Sequence, residues 1–265
     1  MSETALLLVW PALAGYAEAA VAYAGDTVRP GRLVRYAIWG VRLGWLAQTA
    51  LLVAQAASAD GFPWGSWASS LNLFVWMCVG VYLIWGCRAP FRLLGLVVMP
   101  LAAVLLALAW AAGGVGRPAQ SEFGDVFLAA HVGLILAAFA GFTLAAALSA
   151  LYLWQDRRLK RRAPGVLRLR SPSLQTLDQL TGRTIAVSLP ALTVGAGIGL
   201  ARLEADGAAF DAIMGLTLLT WVVYVAFLVL RWEAGWRGRG TAYLALAGFL
   251  LVVLVRIVLT PFVHF

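Results

Sequence analysis

Eight long stretches of this chain are almost free of charge, and no water-facing fold has room for that much apolar sequence. They cover residues 5–24, 35–57, 71–87, 93–112, 127–154, 184–201, 208–231 and 241–261. A helix needs about 20 apolar residues to cross the roughly 30 Å hydrocarbon layer of a bilayer at about 1.5 Å per residue. The runs are continuous and do not alternate, so they predict spanning helices and not barrel strands. Composition agrees: 62% of residues are hydrophobic and 12% charged, about half the charged share of an ordinary soluble domain. Mean hydropathy is +0.86. A soluble enzyme, a disordered chain and a disulfide scaffold are thereby excluded. The expectation is an all-α integral membrane protein with eight transmembrane helices, one polytopic domain over residues 1–265. The first segment reads as a span and not as a signal peptide. Its flank holds Glu3 and no Lys or Arg, although Ala22-Tyr23-Ala24 imitates a cleavage site.

The formal charge is +8, and the position of the basic residues explains it. Arg29, Arg32, Arg35, Arg88 and Arg92 fall in alternate loops of one set, as do Arg231, Arg237 and Arg239. The same set contains Arg157, Arg158, Lys160, Arg161, Arg162, Arg168, Arg170 and Arg183. The opposite loops hold Arg117 and Arg202 beside Asp60, Glu122, Asp125, Glu204 and Asp206. Positive charge stays in the cytoplasm, so both termini are expected outside, in a bacterial inner membrane. This use of the basic residues leaves nothing for a nucleic-acid partner to explain. The longest loop, 155–183, begins QDRRLKRR and continues into LQTLDQLTGR. Leu174, Leu177 and Leu180 at three-residue spacing predict a short amphipathic stretch on the membrane surface. Two roles fit the loop: a basic anchor on anionic lipid, or a docking site for a cytosolic partner.

Chemistry-bearing residues are few. Cys78 and Cys87 form neither CxxC nor CxxCH, so no redox pair or covalent haem attachment is encoded. No metal-ligating cluster, nucleophilic triad, carboxylate pair or phosphate-cradling loop is visible, and no catalytic residue is assigned. The two histidines are informative by position. His131 lies near the start of the fifth helix and His264 just beyond the eighth, so both are expected at the outer membrane boundary. Each is accounted for equally well as an amphipathic interfacial residue or as an axial ligand to one haem iron.

Ionisable residues inside spans require a partner or a task, at about 2.5–3.5 kcal/mol each on insertion scales. Glu18 and Arg42 lie at matching depths in the first two helices, which predicts a structural ion pair. Asp211 and Arg256 both lie near the outer ends of their helices. Arg256 is expected either to pair with Asp211 or to receive a haem propionate. Pro100 and Pro190 offer weak kinks only, too little for the broken helices of a transporter.

The segment HVGLILAAFAGFTLAAALSALYLWQDRRLKRR, residues 131–162, resembles the region of the cytochrome c assembly membrane family that opens with a haem-ligating histidine. The following SPSLQTLDQL is similar to the HemX and YpjD branch. GWRGRGTAYLALAGFLLVVLVRI, residues 235–257, resembles the family's entry into its last helix, and WASSLNLFVWMCVGVYLIWG its outer loop and following helix, with Asn72 in place. In CcsA, ResC and CcmC members two outward-side histidines bracket a haem. The resemblance implies that His131 matches the first and His264 the second, without the residues that usually follow it. One departure matters. Haem-delivering members carry a WGxxWxWD segment between the two histidines, whereas this chain reads ARLEADGAAFD. The WGSW string at Trp64–Trp67 precedes His131 and fits an aromatic belt at the headgroup level.

The resemblance therefore implies non-covalent haem b held between His131 and His264, in haem handling, cytochrome c biogenesis or a HemX-like accessory role. That is a haem chaperone or assembly factor and not a catalyst. Partners implied are membrane lipid and other cytochrome c assembly proteins or a haem-synthesis enzyme. The alternative is a haem-free scaffold whose basic loop docks a cytosolic tetrapyrrole-pathway enzyme.

Overall fold

The structure is a computed structural model, and it describes residues 3–28, 31, 33–59, 62–85, 92–115, 126–161, 172–206 and 211–254. These residues form eight helices and no strand: α1 (Glu3–Val28), α2 (Val34–Ala57), α3 (Trp67–Trp85), α4 (Arg92–Ala111), α5 (Val126–Lys160), α6 (Leu174–Asp206), α7 (Ala212–Trp232) and α8 (Arg239–Val253). Seven of them are long and apolar enough to cross a membrane; the described part of α8 is apolar but shorter. Large side chains such as Leu7, Val21, Val53, Ile84 and Val187 point outward. That is the reverse of a water-soluble surface, and lipid tails are the solvent such a surface requires. The chain is a multi-pass membrane protein.

The chain forms two compact units, Met1–Asp125 and Val126–Phe265. Within each unit the four helices close a ring.

In the first unit α1 packs on α2 and α4, and α3 packs on α2 and α4. Lipid supplies no hydrophobic drive between helices, so close backbone approach and polar contacts hold such a ring together. A Cβ on Gly15 would lie 2.7 Å from the Gly40 carbonyl and 2.8 Å from the Gly44 Cα. Only glycine lets α1 and α2 meet there. Beside this contact runs a buried polar chain. The Tyr16 hydroxyl donates to Gln48 Oε1 at 2.6 Å, and Gln48 Nε2 donates to Asn72 Oδ1 at 2.9 Å. Asn72 Nδ2 donates to Gln55 Oε1 at 3.1 Å, and Gln55 Nε2 to the Gly114 carbonyl at 3.0 Å. The chain ties α1, α2, α3 and the turn after α4. An aromatic pair lies alongside: Trp45 stacks on Trp76, whose indole N–H donates to Thr49 Oγ1 at 2.8 Å.

In the second unit α5 packs on α6 and α8, and α7 packs on α6 and α8. Phe142 of α5 stacks on Tyr224 of α7 with ring centroids 3.8 Å apart, and the Tyr224 hydroxyl donates to the Ala245 carbonyl of α8. Two boundaries differ from expectation. The basic run after residue 154 continues α5 as helix to Lys160, and α6 starts at Leu174, ten residues before the expected 184. The amphipathic stretch is the first part of α6: Leu177 and Leu180 are buried, and Ser173 Oγ accepts from the Thr176 N–H as an N-terminal cap. The reason is Asp178, whose carboxylate finds polar partners on α7 and α8. Residues 162–171 of the expected loop lie outside the described residues.

Candidate functional site

The two ends of the second unit differ in chemistry. At one end Asp178 Oδ2 accepts from Arg231 at 2.8 Å, and its other oxygen accepts from the Gly238 backbone N–H at 3.0 Å and from Thr241 Oγ1 at 3.3 Å. Arg239 pairs with Asp156, and Lys160 lies 3.6 Å from the same carboxylate. The end of α5, the start of α6, the end of α7 and the start of α8 therefore meet in one charged cluster. Neighbouring helices run antiparallel. The exposed basic residues Arg157, Arg158 and Arg161 belong to this end.

His131 belongs to the other end. It is the sixth residue of α5, 26 residues from Arg157, or about 39 Å along a helix. That distance exceeds the hydrocarbon thickness, so the two ends reach opposite bilayer boundaries. The ring is half-buried against α6. Its Nδ1 lies 2.6 Å from the Gly195 carbonyl oxygen. A carbonyl only accepts, so Nδ1 carries the hydrogen and donates it. When the ring is neutral, its lone pair is then at Nε2. One turn further along α6, a Cβ on Gly199 would stand 2.9 Å from Nδ1, 3.3 Å from Nε2 and closer still to Cε1. Glycine at 199 leaves the imidazole its place.

A haem-binding histidine needs one ring nitrogen free as a ligand and the other held by an acceptor that fixes tautomer and orientation. His131 meets the second condition through the Gly195 carbonyl, which leaves Nε2 as the nitrogen available as a ligand. His264 and Arg256 lie outside the described residues. Asp211 caps α7, accepting from the Met214 N–H at 2.7 Å. No group of three or more His, Cys, Asp or Glu side chains able to hold a bare metal ion occurs among the described residues.

The structure does not bring Glu18 and Arg42 together as an ion pair. Both are exposed, and the Arg42 guanidinium lies over the Trp39 ring, 5.7 Å from its centroid. The helix angle gives the reason. Gly40 and Gly44 mark the face of α2 that touches α1, and Arg42 stands about 160° to 200° around the helix from them. Equal depth is not equal direction. Gly195, Gly199, Asp178 and Arg231 escape a reading of the sequence alone. The alternating glycines at 195, 197 and 199, unfavourable in a helix interior, are the one local sign of the first two.

The family model described as cytochrome C assembly protein matches residues 64–261. The chain is similar to cytochrome c biogenesis protein CcsA of Prochlorococcus marinus (strain MIT 9303), 28% identical over 251 residues that cover 82% of this chain and 78% of the relative. CcsA of Microcystis aeruginosa is 27% identical, covering 80% of each chain. CcsA of Chlamydomonas reinhardtii is 28% identical over 214 residues, 76% of this chain and 59% of the relative.

Proposed function

The chain belongs to the cytochrome c assembly protein family, and on that premise we propose that it binds haem b non-covalently in the membrane, with His131 Nε2 as one axial ligand to the iron. The single observation that carries this reading is the 2.6 Å contact from His131 Nδ1 to the Gly195 carbonyl. It leaves Nε2 as the basic nitrogen of a fixed ring. His264 is the proposed second ligand, and Arg256 either pairs with Asp211 or receives a propionate. Haem supplies a redox-active iron when bound. The chain's own residues hold the imidazole against α6, through the Gly195 carbonyl and the space that Gly199 leaves for the ring.

The proposed sidedness puts the Arg157–Arg161 end in the cytoplasm and His131 at the outer face, which follows the positive charge. The proposed role is an accessory or haem-holding one in cytochrome c assembly. Residues 201–211 contain no tryptophan, so the aromatic segment expected of a haem-presenting member is missing between the two histidines.

Assembly in cells tests the role. A strain lacking the chain should lose covalently haem-stained c-type cytochromes, and the wild-type chain, but not His131→Ala expressed at the same level, should restore them. Undiminished staining in the deletion strain, or full restoration by His131→Ala, would overturn the proposal.

A further inference from the structure

We infer that Gly195 and Gly199 of α6 are positioning residues for the His131 imidazole. On the haem reading above, on which this inference rests for the identity of the bound group, they also set how strongly the histidine donates to iron. The three glycines of the GAGIG run have different surroundings. A Cβ on Gly197 would meet nothing within 4 Å. A Cβ on Gly199 would overlap the His131 ring, and Gly195 supplies the carbonyl that holds Nδ1. Helix propensity opposes glycine at all three positions. Packing against the histidine accounts for Gly199 and leaves Gly197 without such a role.

The two residues act in sequence. The missing side chain at 199 lets the ring lie flat enough on α6 for Nδ1 to reach the Gly195 oxygen. That hydrogen bond fixes the Nδ1–H tautomer, so Nε2 is the only nitrogen with a free lone pair. It also draws the N–H proton towards oxygen and makes Nε2 a stronger donor. A stronger donor favours the ferric over the ferrous ion, because the higher charge gains more from it. The seat therefore strengthens haem binding and lowers the iron's reduction potential, through the second-shell contact by which proteins tune haem.

Two measurements on the full-length protein in detergent test this, one without haem. In haem-free protein labelled with ¹⁵N-histidine, the long-range proton–nitrogen spectrum of His131 should be that of the Nδ1–H tautomer, with the His264→Ala variant identifying the signal. Gly199→Ala should lose that pattern and Gly197→Ala should keep it. An Nε2–H tautomer in the unaltered protein overturns the inference whether or not haem binds.

In the haem-loaded protein, Gly199→Ala should weaken haem binding by about 10- to 100-fold and raise the midpoint potential. Gly197→Ala should change neither. Equal effects from both substitutions overturn the inference. A protein with the expected tautomer that takes up no haem would leave the seat standing and remove the haem reading. Should Gly199→Ala fold poorly, its cost is measured again in a His131→Ala background. The loss should largely disappear there, since the ring it strikes is gone; an equal loss in both backgrounds overturns the inference.

Discussion

Asp178 on α6 and Arg231 on α7 form an ion pair of 2.8 Å with side chains only 10% and 12% exposed, and the same carboxylate holds the α7–α8 turn through Gly238. Removing one member of such a pair strands the other in a poorly solvated place, at a cost of about 3–5 kcal/mol. Asp178→Asn should therefore lower the unfolding temperature in detergent. Adding Arg231→Met should recover part of the loss. Strict additivity of the two substitutions would show that they do not interact.

Gln48 is the centre of the polar chain in the first unit, touching Tyr16 on one side and Asn72 on the other. Gln48→Leu keeps the bulk and orphans both partners, each at about 1–3 kcal/mol. Thermal unfolding should show a loss several times that of Ser58→Ala, an exposed position after the end of the same helix. Equal losses would mean that the chain of side-chain amides adds nothing to stability.

The Gly15 contact with Gly40 and Gly44 leaves no room for a branched side chain. Gly15→Val should prevent α1 and α2 from closing and sharply reduce the yield of folded protein on size-exclusion chromatography. Ala17→Val, on an exposed face of the same helix, should be tolerated. Similar yields from both would argue against the close approach.

Sidedness has its own test. A periplasm-active reporter fused after Phe265 should be active, and one inserted at Arg162 should be silent, with a cytoplasm-active reporter giving the opposite pattern. Reversed activities would put His131 on the cytoplasmic side.

Continuous apolar runs made the helices legible, since nothing else in a sequence mimics a run that long. The early start of α6 was not legible by the same criterion. Asp178 and Arg183 lower the local hydropathy, and what keeps Asp178 in the helix is Arg231, 53 residues away. Depth could be counted for Glu18 and Arg42, but not which face of α2 meets α1; that is set by Gly15, Gly40 and Gly44 acting together. His131 stood out because histidines are scarce here. Its seat did not, because Gly195 and Gly199 acquire their roles only when α6 packs against α5.

The central claim is that His131 ligates haem, and an absorption spectrum of the purified full-length protein titrated with haem b tests it most directly. The unaltered protein should give a six-coordinate, low-spin spectrum, since nitrogen fills both axial positions. His131→Ala should shift it to a five-coordinate form, and added imidazole should restore six-coordination. A protein that stays colourless with haem present, or a His131→Ala spectrum identical to that of the unaltered chain, would contradict the account.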